Sequence, residues 1–158
     1  MPIPAKRVSP RQTARGKRFI LLASEFHAPL TRALIRSAIG VLRRAGASPS
    51  RIRVLWVPGA FELPVAAARA ARSRPRPDAI LALGVLIRGQ TPQYEVLAHA
   101  VAQGLTQVSV ERVLPVTFGV VVAETAAQAK ARAGGSFGNR GAEAALAALG
   151  VLRLFEKL

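Results

Sequence analysis

The chain contains no cysteine among its 158 residues, which excludes disulfide bridges and thiolate metal sites. The two histidines, His27 and His99, lie far apart in the sequence and make a poor case for a metal site. No apolar run reaches the ~20 residues that span a bilayer; one of the longest is AILALGVLI at 79–87. The N-terminus also lacks the apolar core of a secretory signal. We therefore expect a cytoplasmic protein without a membrane partner.

Acidic residues are scarce as well, with 8 Asp and Glu against 23 Lys and Arg, giving a net charge of +15. Such a field attracts polyanions and phosphorylated small molecules. Six basic residues and no acid fall within the first eighteen positions, which predicts a basic, flexible arm over 1–17 before a single domain over 18–158. The arm would suit nucleic acid, although a solvated basic tail is the more common explanation. The other arginines are scattered, and aromatic residues for base stacking are few.

Beyond the arm, apolar runs of strand length alternate with segments of helical period. This alternation predicts an α/β protein, with a four-stranded parallel sheet in a three-layer α/β/α, flavodoxin-like fold. The strands are apolar at successive positions, as is typical of strands buried on both faces. Strands are predicted at 18–24, 51–57, 78–87 and 115–122, and helices at 29–45, within 61–73, and at 93–109, 125–133 and 142–157.

Ligands of an open parallel sheet bind beyond the carboxyl ends of its strands. The segments that follow the predicted strands are SEFH, PGAFE, RGQTPQYE and AET, and they hold four of the eight acids: Glu25, Glu62, Glu95 and Glu124. This placement indicates a polar site at that edge, although polar loops at strand ends are ordinary.

The segment IRGQTPQYE at 87–95 has the features of an anion-binding turn. Thr91 is predicted to cap a helix whose first residue is Pro92. Gly89 lets the backbone approach a ligand, and the free N–H groups of a helix start favour an anion. A routine strand-to-helix turn would explain the same residues. Arg132 and Arg140, near the ends of the loop GGSFGNRG, could pair with a phosphate or could be solvated surface arginines.

Phe26 and Phe61 directly follow predicted strands. A planar ligand could stack on them, or they could close the ends of the core. Neither a P-loop nor a Gly-x-Gly-x-x-Gly fingerprint is present, and no Ser/His/Asp or Cys/His set is evident.

Several segments together resemble the lumazine synthase family, in order and at compatible spacing from about residue 18 to residue 158. They are EFH (25–27), VPGAFELP (57–64), DAILALGVLIRGQTPQYE (78–95), LPVTFGVV (114–121) and QAKARAGGSFGNRGAEAA (128–145). The resemblance implies a transferase that catalyses the penultimate step of riboflavin biosynthesis. It would condense 5-amino-6-(D-ribitylamino)uracil with 3,4-dihydroxy-2-butanone 4-phosphate to 6,7-dimethyl-8-ribityllumazine, with no metal or organic cofactor.

The resemblance also implies roles for residues at matching positions. Phe26 would stack on the pyrimidine ring, with His27 beside it at the mouth of the site. Arg132 would grip the phosphate from a neighbouring subunit, which would also contribute Phe118. The remaining implied residues are Ala60, Phe61 and Glu62 for the ribityl chain, Val85, Leu86 and Ile87 for the uracil edge through their backbone, Gln90 and Thr91 for the phosphate, and Arg140 and Glu143.

Gln93 is the main departure from the pattern, because the resemblance implies a proton-transferring histidine at this position. A glutamine amide forms hydrogen bonds but has no useful pKa. Loss of a positioned acid–base group typically slows a reaction by ~10²–10⁴. Holding two reactants together contributes ~7–11 kcal/mol, so we expect a slowed but working catalyst.

Three other positions depart from the pattern: His27 replaces asparagine, Glu25 replaces arginine and Arg140 replaces lysine. His27 could transfer protons in place of the missing histidine, or could be an ordinary surface histidine. His99 lies six residues past Gln93 and points to another face of the predicted helix, so it is no substitute.

The resemblance further implies a homo-pentamer, and it leaves open whether pentamers build an icosahedral shell. The Ala- and Leu-rich helix at 93–109 would suit packing around a five-fold axis, or could be an ordinary core helix. Two alternative functions stay open. One is a lumazine- or flavin-binding relative with little or no turnover, and the other is a cage scaffold whose basic arm binds nucleic acid or another polyanion.

Overall fold

The computed structural model describes residues 14–158. Four parallel strands form one sheet in the order β2-β1-β3-β4, with helices on both faces. The predicted α/β/α fold with a four-stranded parallel sheet is therefore confirmed. The strands are β1 (Phe19–Ser24), β2 (Ile52–Val57), β3 (Ala79–Ile87) and β4 (Val116–Ala123), and the helices are α1 (Ala28–Arg44), α2 (Leu63–Ala70), α3 (Gln93–Arg112), α4 (Ala126–Ala131) and α5 (Arg140–Phe155).

The two central strands explain why the predicted strands read as unbroken apolar runs. Every residue of β1 is buried, and so is every residue of β3 except Ile87. Successive side chains point to opposite faces of a sheet. Phe19 and Leu21 pack in the core formed with α1 and α5, whereas Ile20 and Leu22 pack in the core formed with α2 and α3.

The start of helix α3 differs from the prediction. Thr91 does not cap the helix, because Pro92 occupies the N-cap position and no side chain caps it. Pro92 has a ψ of 17°, far from the helical value of about −42°, so the helix begins only at Gln93. The prediction of a Thr91 cap is therefore wrong by one position.

Other boundaries shift by a few residues. Helix α5 begins at Arg140 rather than at 142, because the side chain of Asn139 accepts a hydrogen bond from the Ala142 N–H at 3.1 Å and caps it. The glycine-rich loop before it contains a short antiparallel hairpin that was not predicted, β5 (Ala133–Gly135) and β6 (Gly138–Asn139). Thr125, the first residue of the helix predicted over 125–133, caps α4 by accepting from the Gln128 N–H at 3.1 Å.

Packed structure begins before the predicted end of the N-terminal arm. Ala14 is fully buried, and its N–H donates to the Ala45 carbonyl at 2.6 Å. Residues 14–17 therefore belong to the fold, and the rest of the predicted arm lies outside the described residues. Among the helices of residues 14–158, none combines the length and apolarity that crossing a membrane requires.

Gly141 allows α5 to pack against the backbone of α1. A Cβ atom at Gly141 would overlap the carbonyl group of Leu34. Gly150, on the same helix, has no atom within 4 Å of an added Cβ. The two glycines therefore form a matched pair, one required by a backbone contact and one not.

We expect Gly141→Ala to lower the free energy of unfolding by about 1–3 kcal/mol, because the Leu34 backbone can move only if α1 shifts. Gly150→Ala should raise it by up to about 1 kcal/mol, because alanine favours the helix. Thermal unfolding midpoints at one protein concentration measure both. A Gly141→Ala midpoint at or above that of the parent would contradict the packing described.

Candidate active site

A cavity of about 530 Å³ lies at the carboxyl ends of β1, β2 and β3. This is the edge at which an open parallel sheet places its ligands. Four chain segments line the cavity: Phe26 and His27 after β1, Gly59–Glu62 after β2, Val85–Ile87 with Gly89 and Thr91 at the end of β3, and Gln93, Tyr94 and Leu97 on α3. We call it the sheet-edge cavity.

Phe26 and Phe61 are exposed over 70% and 59% of their surfaces. Rings with that much exposure do not close the core, so one of the two explanations left open by the sequence is removed. Both rings line the sheet-edge cavity, where their faces are available to a planar group.

His27 is held in an unusual backbone conformation at the start of α1. Its φ of 57° and ψ of 42° are left-handed, a region in which histidine is enriched among non-glycine residues. Its carbonyl accepts hydrogen bonds from the N–H groups of Leu30 at 3.0 Å and Thr31 at 3.1 Å. Its ring meets Phe26 edge to face, with the centroids 6.0 Å apart. The histidine is therefore fixed beside the exposed phenylalanine.

Gln93 and His27 line the same cavity, although they come from different helices. His99, in contrast, is exposed on α3 and is not among the lining residues. His27 is accordingly the histidine that the structure places in the sheet-edge cavity.

Polar groups from both side chains and main chain lie around the sheet-edge cavity. Glu62 folds its carboxylate over Gly59, where an added Cβ would meet Oε2 at 3.1 Å. Val85 and Leu86 at the end of β3 have apolar side chains, so only their main chain can present polar groups there. Thr91 also lines the cavity, whereas Gln90 is exposed and does not.

A second cavity of about 530 Å³ lies beside edge strand β4 and contains the implied site residues Phe118, Arg132, Arg140 and Glu143. Gln90 lines neither cavity. It shares no lining residue with the sheet-edge cavity. We call it the β4 cavity. Its lining residues are Thr117, Phe118, Val120, Val122, Arg132, Arg140, Glu143, Ala144 and Ala147.

Two arginines of the β4 cavity are positioned by neighbours. Arg140 pairs with Glu143 at 2.6 Å, and both side chains are 42% exposed, so the pair contributes little to stability. The guanidinium carbon of Arg132 lies 5.6 Å from the ring centroid of Phe137. The Arg140 N–H donates to the Arg132 carbonyl at 2.9 Å, which joins the end of α4 to the start of α5.

The residues near these cavities that sequence reasoning missed include Tyr94, Leu97 and Phe137. Leu97 lies four positions after Gln93 and three after Tyr94, so the helical period could have placed it between them on the cavity side of α3. Phe137 lies in the loop GGSFGNRG, where no periodic signal points to its contact with Arg132. Within residues 14–158, no group of three or more His, Asp or Glu side chains is placed to hold a metal ion.

Comparison with known proteins decides the family. A family model described as 6,7-dimethyl-8-ribityllumazine synthase matches residues 16–156. The chain belongs to the lumazine synthase family. The resemblance in the sequence motifs is therefore confirmed over nearly the whole chain.

Relatives named 6,7-dimethyl-8-ribityllumazine synthase match over most of their own length. The protein of Thermus thermophilus is 42% identical over 153 residues, covering 97% of each chain. That of Gemmatimonas aurantiaca is 47% identical over 142 residues, covering 90% of this chain and 86% of its own. That of Aquifex aeolicus is 44% identical over 146 residues, covering 92% and 94%.

Tyr94 gives this lumazine synthase family member a spectroscopic probe of the sheet-edge cavity, because it is the single tyrosine of the chain. Burial raises the pKa of its phenol above 10.0, and the carboxylate of Glu95, which accepts from the hydroxyl at 3.1 Å, raises the pKa further. The neutral phenol donates that hydrogen bond, whereas a phenolate would face the carboxylate's charge.

We expect ultraviolet titration to show Tyr94 ionising above pH 10.0. In the unfolded chain the phenol loses its proton at a lower pH than in the folded chain. The free energy of unfolding should therefore fall as pH rises above 10.0. Glu95→Gln should move the pKa of Tyr94 back towards its ordinary value without reaching it, because burial remains. Ionisation of Tyr94 at or below the ordinary value in the parent would contradict this environment.

Proposed function

We propose that the chain condenses 5-amino-6-(D-ribitylamino)uracil with 3,4-dihydroxy-2-butanone 4-phosphate to 6,7-dimethyl-8-ribityllumazine, the penultimate step of riboflavin biosynthesis, in the cytoplasm. One observation carries the proposal beyond family membership. The residues implied for the ring, the ribityl chain and the uracil edge share the sheet-edge cavity, whereas Phe118 and Arg132 lie in a separate one. This division supports a site completed by a neighbouring copy.

The sheet-edge cavity would hold the pyrimidine. Phe26 offers an exposed ring for stacking. Ala60, Phe61 and Glu62 would contact the ribityl chain, with the Glu62 carboxylate accepting from its hydroxyls. The main chain of 85–87 would read the uracil edge. Thr91 would contact the phosphate. Gln90, which is exposed on the same turn, would join it by turning towards the cavity.

The β4 cavity of a neighbouring copy would close the site. Its Phe118 is 41% exposed on an edge strand, and Arg132 lies in the same cavity. Arg132 would grip the phosphate through charge-assisted hydrogen bonds. Arg140 and Glu143 would lie at its rim. A homo-pentamer provides such neighbours for every copy. Val96 and Val110 on α3 are 65% and 72% exposed, which supports a role for that helix in assembly.

The proposed reaction begins when the uracil amine attacks the ketone carbonyl and water leaves to form an imine. Inorganic phosphate is then eliminated, the ribitylamino nitrogen closes the ring and a second water leaves. Holding both reactants together contributes ~7–11 kcal/mol towards these steps. Arg132 would stabilise the departing phosphate, and no metal or organic cofactor takes part.

The proposed site lacks a proton-transferring side chain at position 93, where Gln93 stands. The Gln93 amide can orient a substrate but cannot exchange a proton at neutral pH. His27 lines the same cavity, and histidine is the residue type that most often transfers protons in catalysis. We propose that His27 supplies part of the acid–base catalysis and that the reaction is slower than it would be with a histidine at 93.

We expect the wild-type protein to form the fluorescent lumazine and release phosphate when both compounds are mixed. Gln93→His should accelerate turnover, and His27→Ala should slow it, each by at least about tenfold, because a positioned acid–base group is gained or lost. Initial rates followed by lumazine fluorescence measure all three proteins.

The outcomes separate the proposals. Binding of the uracil substrate by the wild type without product would contradict the proposed reaction and favour a ligand-binding relative. If the wild type forms product and Gln93→His is no faster, the proposed reaction stands, but the claim that Gln93 slows it is wrong. His27→Asn serves as a polar control that keeps hydrogen bonding but cannot exchange protons.

Mixed assemblies test the shared site. We expect Phe61→Ala and Arg132→Ala each to lose most activity, because one removes a ring of the sheet-edge cavity and the other the phosphate contact. Co-assembling the two inactive variants should restore part of the activity, since some sites then combine two intact halves. Rates are measured after joint refolding, against each variant refolded alone.

Co-assembly of Phe61→Ala with Glu62→Ala provides the matched control. Both changes lie in the sheet-edge cavity, so no mixed site contains an intact sheet-edge cavity. Equal activity in the two mixtures would show that one chain supplies all the groups, contrary to the proposal.

A further inference from the structure

Helix α1 carries a row of exposed arginines along one side. Arg32, Arg36 and Arg43 are all exposed. Their spacing of four and seven residues places them within about 40° of one another around a helix of 3.6 residues per turn, and over about 16 Å of its length. We call this row the arginine stripe. The fold thus aligns arginines that are scattered in the sequence.

The chain segment that contains the stripe has no acidic residue. Between Phe26 and Phe61 the chain has six arginines and no Asp or Glu. Over the part of the chain that the structure describes, none of the three stripe arginines forms a salt bridge; the pair found there joins Arg140 to Glu143. The stripe therefore presents uncompensated positive charge to solvent, as a surface for a polyanion does.

A flat aromatic group lies at one end of the stripe. Trp56 belongs to β2, an edge strand, and is 39% exposed. The guanidinium carbon of Arg32 lies 5.6 Å from the indole centroid. Exposed tryptophan rings and guanidinium planes are both groups on which unpaired bases stack. A row of charges alone would suit a duplex or an anionic membrane, whereas the ring beside it favours an unpaired base.

We infer that the arginine stripe and Trp56 bind single-stranded nucleic acid, with phosphates along the stripe and a base on the Arg32–Trp56 pair. None of these four residues lines the sheet-edge cavity or the β4 cavity. The inference is thus independent of the proposed condensation.

Trp56 is the single tryptophan of the chain, so its fluorescence reports directly on this surface. A short oligothymidylate should quench the Trp56 emission as it binds. The triple variant Arg32→Gln, Arg36→Gln, Arg43→Gln should bind at least tenfold more weakly at moderate salt. It should also reduce the slope of log affinity against log salt by about 2, since each phosphate contact to a single strand contributes about 0.7.

A second triple variant, with Arg69, Arg72 and Arg153 changed to Gln, removes the same charge from exposed positions elsewhere. It should keep the fluorescence quenching and most of the salt slope. All six side chains are exposed, so both variants should stay folded, and the stripe variant should lose only the small stabilisation from the Arg32–Trp56 contact. Equal loss of affinity in the two variants would overturn the inference, because binding would then follow net charge alone.

Two further results would also overturn it. Binding of the oligothymidylate, detected by anisotropy, without a change in Trp56 emission would place the ligand elsewhere. Inorganic polyphosphate of matched charge should bind more weakly and leave the emission unchanged; polyphosphate binding as tightly as the oligonucleotide would exclude a contribution from base stacking.

Discussion

Parallel strands end at the same edge of their sheet, and this constraint determines what the chain can do with its loops. Three strands deliver the segments after β1, β2 and β3 to one edge, where they surround the sheet-edge cavity. The fourth strand lies at the border of the sheet, and its outer side opens into the β4 cavity instead. A single chain therefore carries two separate cavities, and we propose that two copies must meet to join them into one site.

Positive charge plays two separate parts in this protein. Arg132 and Arg140 are held at the junction of α4 and α5, where stacking on Phe137 and a pair with Glu143 position them. The stripe on α1 has no carboxylate partner among residues 14–158, although Arg32 lies against the Trp56 ring. The stripe also lies apart from both cavities. A charged substrate and a nucleic acid strand would accordingly occupy different surfaces, although both would be drawn by the same overall field.

The sheet could be predicted from sequence because β1 and β3 are buried on both faces and read as continuous apolar runs. The cap at Thr125 was predictable because its hydroxyl reaches a local N–H, three residues away. Thr91 misled because the dihedral angles of Pro92, not the residue types, delay the start of α3. The site positions were predicted from motif resemblance. Other features could not be predicted because they depend on how distant segments pack. They include the place of the arginine stripe beside Trp56, the contact of Phe137 with Arg132 and the burial of Tyr94.

The most direct test of the shared site is a crystal structure of the assembled protein with 5-amino-6-(D-ribitylamino)uracil and inorganic phosphate bound. The account predicts the pyrimidine against Phe26 of one copy and the phosphate between that copy's Thr91 and Arg132 of its neighbour. A sheet-edge cavity filled by the neighbouring chain, or a phosphate held without Arg132, would contradict it.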